Sequence, residues 1–176
     1  MNRFAAIALA ATPLALGACT TYGDLPTDRV ASADLRFANG LPAGTAQIYR
    51  AGGELRISGA FAGLSEGQHG FHLHTTGSCE APDFTSAGGH LNPTGAEHGS
   101  ANPQGSHLGD LPNLQVNANG TGSISATISD MPDMAEAAIF DGDGTAVMIH
   151  AGADDYVSDP AGDAGSRVAC GVVTRG

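Results

Sequence analysis

Short stretches of alternating apolar and polar positions, punctuated by glycine, run through most of the chain. TAQIYR (45–50) and ELRISGAF (54–61) alternate or carry β-branched residues on either side of AGG, a hairpin signal. HGFHLHT (69–75) alternates, so Phe71 and Leu73 share one face and His72 and His74 the other. NLQVNA (113–118) and TGSISATIS (121–129) flank Asn119-Gly120, a strong two-residue turn signal. TAVMIHA (145–151) and RVACGVVT (167–174) complete the strand-like stretches. No stretch sustains a helical period over three turns, and MAEAAIF (134–140) is expected to be strand or loop. The pattern predicts seven or eight short strands in an all-β, antiparallel sandwich or barrel. Two long irregular segments interrupt it, about 76–112 and 151–166. Loops of that length in a compact domain are usually functional or disordered, and these hold most of the remaining His and Asp.

The N-terminus reads differently. Arg3 is followed by Phe4 to Ala18 with no charge, a run of signal-peptide length and too short for a comfortable membrane span. The run ends Leu16-Gly17-Ala18-Cys19, which resembles a bacterial lipobox, in which Cys19 would be lipidated; an ordinary signal peptide with a chance cysteine is the alternative. Residues 1–18 are therefore expected to be a lipoprotein signal and 19–40 a flexible tether, polar with Pro and Gly. Residues 41–176 are expected to form one domain. The expected location is the periplasmic side of a bacterial membrane, held through lipid only. With Cys19 lipidated, Cys79 and Cys170 remain. In an oxidising compartment this pair reads as a disulfide, two buried thiols being the alternative. A bridge would close a separation of 91 residues, worth roughly 4–5 kcal/mol in the chain-entropy model.

Charge narrows the partners. Asp plus Glu is 18 and Lys plus Arg is 7, all seven being Arg, for a net charge of −11. Nucleic acid and anionic membrane surfaces are poor partners for such a chain.

The 7 His carry the candidate chemistry. His72 and His74, i and i+2 on a strand, have backbones roughly 6.5–7 Å apart, a reach that suits two imidazoles on one metal. The segment SAGGHLNPTGAEHGSANPQGSHLGD then supplies His90, His98, His107 and Asp110 within 21 residues. It has little apolar content to fold by itself, so a metal would supply the ordering energy. Three His and one Asp make a closed tetrahedral set of the kind zinc favours. His150 ends the strand TAVMIH. Residue types alone leave Zn, Cu, Fe and Ni open.

GFHLH, SAGGHLNP, HLGDLPNL, GSRVACGV and the isolated His150, taken together and in order, resemble the copper/zinc superoxide dismutases over roughly residues 43–174. The resemblance implies a Greek-key, Ig-like β-sandwich or barrel. It implies copper on His72, His74, His90 and His150, and zinc on His90, His98, His107 and Asp110, with His90 bridging. It implies Asp154 as an outer carboxylate bonded to ligands of both metals, a Cys79–Cys170 disulfide, and Arg167 beside the open copper position. The activity implied is dismutation of superoxide, with Arg167 and His90 as the catalytic residues. A homodimer is left open. A non-catalytic copper- or zinc-binding lipoprotein, acting as metal buffer or donor, is the alternative; its signature would be a missing copper ligand or a missing Arg167. His69 is expected to be a structural, hydrogen-bonded histidine. The second loop carries Asp154, Asp155, Asp159 and Asp163 where many relatives carry lysines, which puts electrostatic guidance in doubt. Cys79 follows His74 more closely than in the common cytosolic pattern, which suggests a bacterial variant of the loop. DGDG (141–144) lacks the later ligands of a calcium loop and is expected to be a turn.

Overall fold

The structure, a computed structural model, describes residues 28–176. The expected signal segment, Cys19 and the first part of the tether lie outside the described residues.

Among the described residues ten strands form one antiparallel sheet: β1 (Arg29–Phe37), β2 (Pro42–Ala51), β3 (Glu54–Ala62), β4 (Gly67–His69), β5 (Phe71–His74), β6 (Leu114–Val116), β7 (Thr121–Ser129), β8 (Ala146–His150), β9 (Arg167–Val172) and β10 (Thr174–Arg175). The order is β4-β6-β7-β3-β2-β1-β9-β8-β5, with β10 paired to β1. β4 and β5 are the two ends of that order, yet only Gly70 separates them in sequence. The sheet must therefore curl until its two ends approach at Gly70, which gives a nearly closed barrel in which β5 keeps one open side.

The AGG hairpin joins β2 to β3, with Gly52 and Gly53 both at positive φ, where the turn needs glycine. Alternation puts Phe71 and Leu73 of β5 in the main core with Leu35, Ile48, Ile57, Leu114, Val147 and Ile149. His72 and His74 take the opposite face.

Two expectations are corrected. The tether does not extend to residue 40: β1 starts at Arg29 and lies between β2 and β9, with Ala31, Ala33 and Leu35 buried. Its apolar positions are mostly alanine, too small to stand out in a polar segment. Residues 132–139 form a helix, α1 (Pro132–Ile139), rather than strand or loop. Pro132 opens it, Asp133 sits in its first turn, and Ala135 and Ile139, four apart, bury one face. Arg50 ties it to β2 through Asp133 and Glu136. DGDG is a turn, as expected: Asp141 Oδ1 accepts from the N–H groups of Asp143 and Gly144.

Candidate metal centre

β5 is an edge strand, and the loops fold onto its open side. Leu73 N–H donates to Gly109 O, Leu91 N–H to Leu73 O, and Gly109 N–H to Leu91 O. A Cβ on Gly109 would fall 2.2 Å from Leu73 O, so only glycine admits this approach. The contacts place His72 opposite Asp110 and His74 opposite His90. β8, paired on the other side of β5, ends at His150.

The hydrogen bonds fix the tautomers of four rings. His74 Nδ1–H donates to Gly88 O at 2.9 Å and His150 Nδ1–H to Gly165 O at 3.1 Å. His72 Nε2–H donates to Asp154 Oδ2 at 2.9 Å, and His98 Nε2–H to Asp154 Oδ1 at 3.0 Å. A neutral imidazole carries one N–H, so the other nitrogen of each ring presents a lone pair. Those nitrogens converge into two groups. His72, His74, His90 and His150 bring ligand atoms within 4.8 Å of one another, and so do His90, His98, His107 and Asp110. His90 belongs to both.

Each group has the marks of a cation site. In the first, the Nε2 atoms of His74 and His150 are 3.4 Å apart. A tetrahedron with bonds of about 2.0–2.1 Å has edges of roughly 3.3–3.4 Å. His72 Nδ1 and His90 Nε2 are buried without any hydrogen-bond partner, a costly state unless a cation takes the lone pairs. In the second, Asp110 Oδ1 lies 2.8, 3.0 and 3.1 Å from Nδ1 of His90, His98 and His107. His98 has already committed its proton to Asp154. Its Nδ1 lone pair therefore faces a carboxylate, an arrangement that a metal ion between them resolves.

The six rings are almost inaccessible; His90 and His107 are the most exposed, each at 7%. Burial disfavours the imidazolium form and lowers the pKa of His74 to about 2 and of His90 and His150 to about 4. Burial alone would raise the pKa of Asp110. Hydrogen bonds from His90 and from the N–H groups of Gly99 and His107 outweigh it and hold the carboxyl well below its ordinary range. The same contest lowers the pKa of Asp154, through His72, His98 and the N–H of Tyr156. His74, His90 and His150 are thus neutral and Asp110 and Asp154 ionised at neutral pH, as metal binding requires.

Arg167 opens β9 and reaches across to the first loop. Its Nη1 donates to Phe84 O and its Nη2 to Gly88 O, both at 2.6 Å. Gly88 O is also the acceptor for His74, so one carbonyl orients a ring and the guanidinium together. Cys79 and Cys170 are bridged, which clamps this loop to β9 three residues beyond Arg167. His69 is not part of either group. It ends β4, with Nδ1 at 2.7 Å from His150 O and Nε2 at 2.9 Å from Ser65 O.

Sequence reasoning missed the supports. Asn113 brackets Asp154: its Nδ2–H donates to Asp154 O, and its Oδ1 accepts Asp154 N–H, both at 2.8 Å. Asn113 N–H donates to Tyr156 Oη at 2.8 Å. Asp159 Oδ1 accepts His98 N–H at 2.8 Å, so one loop acid is a strut. Gly162 lies over the Asp154–His98 bond, where a Cβ would fall 1.9 Å from Asp154 Oδ1. No periodicity marks such positions, because each is set by the loop it meets.

Residues 42–173 match the family model described as copper/zinc superoxide dismutase. The superoxide dismutase-like protein YojM of Bacillus subtilis is 46% identical over 106 residues, 59% of this chain and 54% of that one. The Cu-Zn superoxide dismutase of Caulobacter vibrioides is 35% identical over 147 residues, 81% of this chain and 84% of that one. The chain spans 54% to 62% of the length of the three curated relatives it matches at 45% to 46% identity. Among solved structures, the Cu/Zn superoxide dismutase of Brucella abortus aligns with a TM-score of 0.66 at 32% identity, covering 81% of this chain and 98% of that one.

Proposed function

The chain belongs to the copper/zinc superoxide dismutase family, and from that premise we propose that it converts two superoxide anions and two protons into dioxygen and hydrogen peroxide at this centre. The observation that carries the reading is the shared ring: His90 stands in both four-ligand groups, and Arg167 is fixed beside the first through the carbonyl that also orients His74.

In this reading His72, His74, His90 and His150 hold copper, and His90, His98, His107 and Asp110 hold zinc. Copper supplies the one-electron couple that the reaction needs, and zinc a fixed charge without redox change. The chain supplies the rest. Arg167 binds the anion by charge and hydrogen bonds. Burial lowers its pKa somewhat and Asp83 opposes this, but guanidinium stays protonated at any working pH. His90 Nε2 is the atom at which a proton is held after one half-reaction and given up in the next. Asp154 keeps His72 and His98 in the tautomers that leave their Nδ1 atoms free to bind metal. The closed barrel and the disulfide hold these groups in place as the charge changes.

Anchoring through Cys19 on the periplasmic side of a bacterial membrane belongs to the same proposal. Its support is the uncharged run Phe4–Ala18 followed directly by cysteine, and a disulfide of the kind an oxidising compartment maintains.

Metal content and superoxide dismutase activity, measured together on the purified protein, test the central reading. Copper and zinc in equal amounts with activity are expected. Zinc alone, with no activity after copper loading, would overturn it in favour of a metal buffer or donor.

A further inference from the structure

A metal-bound imidazole nearly always donates its other N–H to a carboxylate, a carbonyl or water, and that bond tunes the ligand. The chain supplies this bond for four of the six rings: Asp154 for His72 and His98, Gly88 O for His74, Gly165 O for His150. His90 has no such nitrogen to spare, since it faces both groups. His107 is different. Its Nδ1 faces Asp110 and His90, while its Nε2 bonds no protein group among the described residues and is open to solvent. The residue is more than nine-tenths buried.

His107 is among the residues that line a cavity of about 330 Å³ between the first loop and α1. Leu108, Ile128 and Ala135 contribute apolar lining, and Thr94 and Ser106 polar lining. Met131 and Met134 also line it and are 55% and 65% exposed, unusual for methionine and typical of adaptable binding surfaces. No Arg lines the cavity and the chain has no Lys, so a carboxylate guest would find no cation there.

We propose that this cavity is a ligand site: it takes a small uncharged molecule with one acceptor oxygen on a compact apolar body, such as an amide, ketone or alcohol, whose oxygen accepts the His107 Nε2–H. The volume lies at the lower end of small-molecule sites. The guest takes the place of water at His107 Nε2 with a fixed acceptor, raises the basicity of the ring and tightens its hold on zinc. The inference rests on the zinc assignment above. It adds a site through which a neutral ligand governs zinc retention.

The test uses the fully metal-loaded protein in its reduced, diamagnetic state, with N-isopropylacetamide as probe and isobutyrate as its anionic counterpart. Zinc content and the ring-nitrogen resonances of His107 are measured first; absence of zinc at His107 would break the zinc assignment itself. With zinc in place, the amide should shift the His107 Nε2–H resonance and the methyl resonances of Met131 and Met134, leaving buried Met148 unmoved. It should slow zinc release to a chelator by about tenfold, the lower end of the range for outer ligand partners. Met134→Ser, at an exposed position, should keep zinc content and weaken the amide response severalfold. Zinc bound at His107 with no response to the amide would overturn the inference and leave solvent as the partner. A stronger response to isobutyrate than to the amide would overturn the uncharged class.

Discussion

Asp154 gives one oxygen to a ring of each four-ligand group, while His150 and Asp110 each serve one group alone. That asymmetry separates the two sites by mutation. His150→Ala removes a ring but keeps the backbone carbonyl that His69 bonds, so the fold should stand. Activity should fall to background with zinc content unchanged; an empty zinc site in this variant would contradict the assignment. Asp110→Ala removes a ligand and also the acceptor for the N–H groups of Gly99 and His107. Zinc affinity should fall by at least about 10–100-fold and the melting temperature with it. Metal analysis and calorimetry on the two variants read both outcomes.

β1 is the element that sequence reading assigned to a tether, and it carries an expectation opposite to a tether's. It joins β2 to β9 in the middle of the sheet order, and Leu35 is 1% exposed. A buried leucine alone is worth roughly 1.5–3 kcal/mol, before the lost ladder hydrogen bonds are counted. A chain starting at Asp28 should fold cooperatively and bind zinc. A chain starting at Gly40 should not, because β2 and β9 would both lose a partner. Far-UV circular dichroism and thermal melts distinguish the two; equal melting temperatures would return β1 to the role of tether.

Charge and protonation act on the whole molecule. In the metal-free protein His90 and His150 titrate at about 4 and His74 at about 2, against about 6.5 when unfolded. The unfolded chain therefore binds more protons as pH falls below about 6.5, and stability falls with it. Each ring contributes up to about 1.4 kcal/mol per pH unit between its two values. Asp110 and Asp154 are depressed, so they stabilise above about 3.9 and that contribution is lost as pH falls through their folded values. Urea melts of metal-free protein should show midpoints dropping from pH 7 to 5 and further below 4; a flat profile from 7 to 5 would refute neutral burial of His74, His90 and His150. The salt response follows from the same charges. Arg50 is bonded to Asp133 and Glu136, and Arg56 to Glu54. Neither is free to guide an anion. Arg36 donates through Nη1 to Gly40 O and has no acidic partner among the described residues, and Arg167 and two metals within about one Debye length of 8–10 Å offset an acidic chain. The rate should change less than about twofold between 10 and 150 mM salt, and Arg167→Glu should reverse whatever slope remains. A steep fall in the unmodified protein would show steering by a further arginine such as Arg36.

The chain by itself determined the all-β class, the hairpin at Gly52-Gly53, the two long loops and the candidate ligands. Those features follow from local rules: alternation marks a half-buried strand, glycine permits a tight turn, and clustered imidazoles in an apolar-poor loop have few other uses. Even so, the assignment of each histidine to a particular metal came from resemblance to a family. What the tertiary structure decided was contact between segments far apart in sequence. Gly88 O lies between His74 and Arg167, Asn113 brackets Asp154 from 41 residues away, and Gly162 leaves the space their carboxylate needs. β1 became a central strand only because β2 and β9 flank it. A loop carbonyl or an alanine-rich strand has no periodic signature; its role exists only once the barrel closes and sets its neighbours.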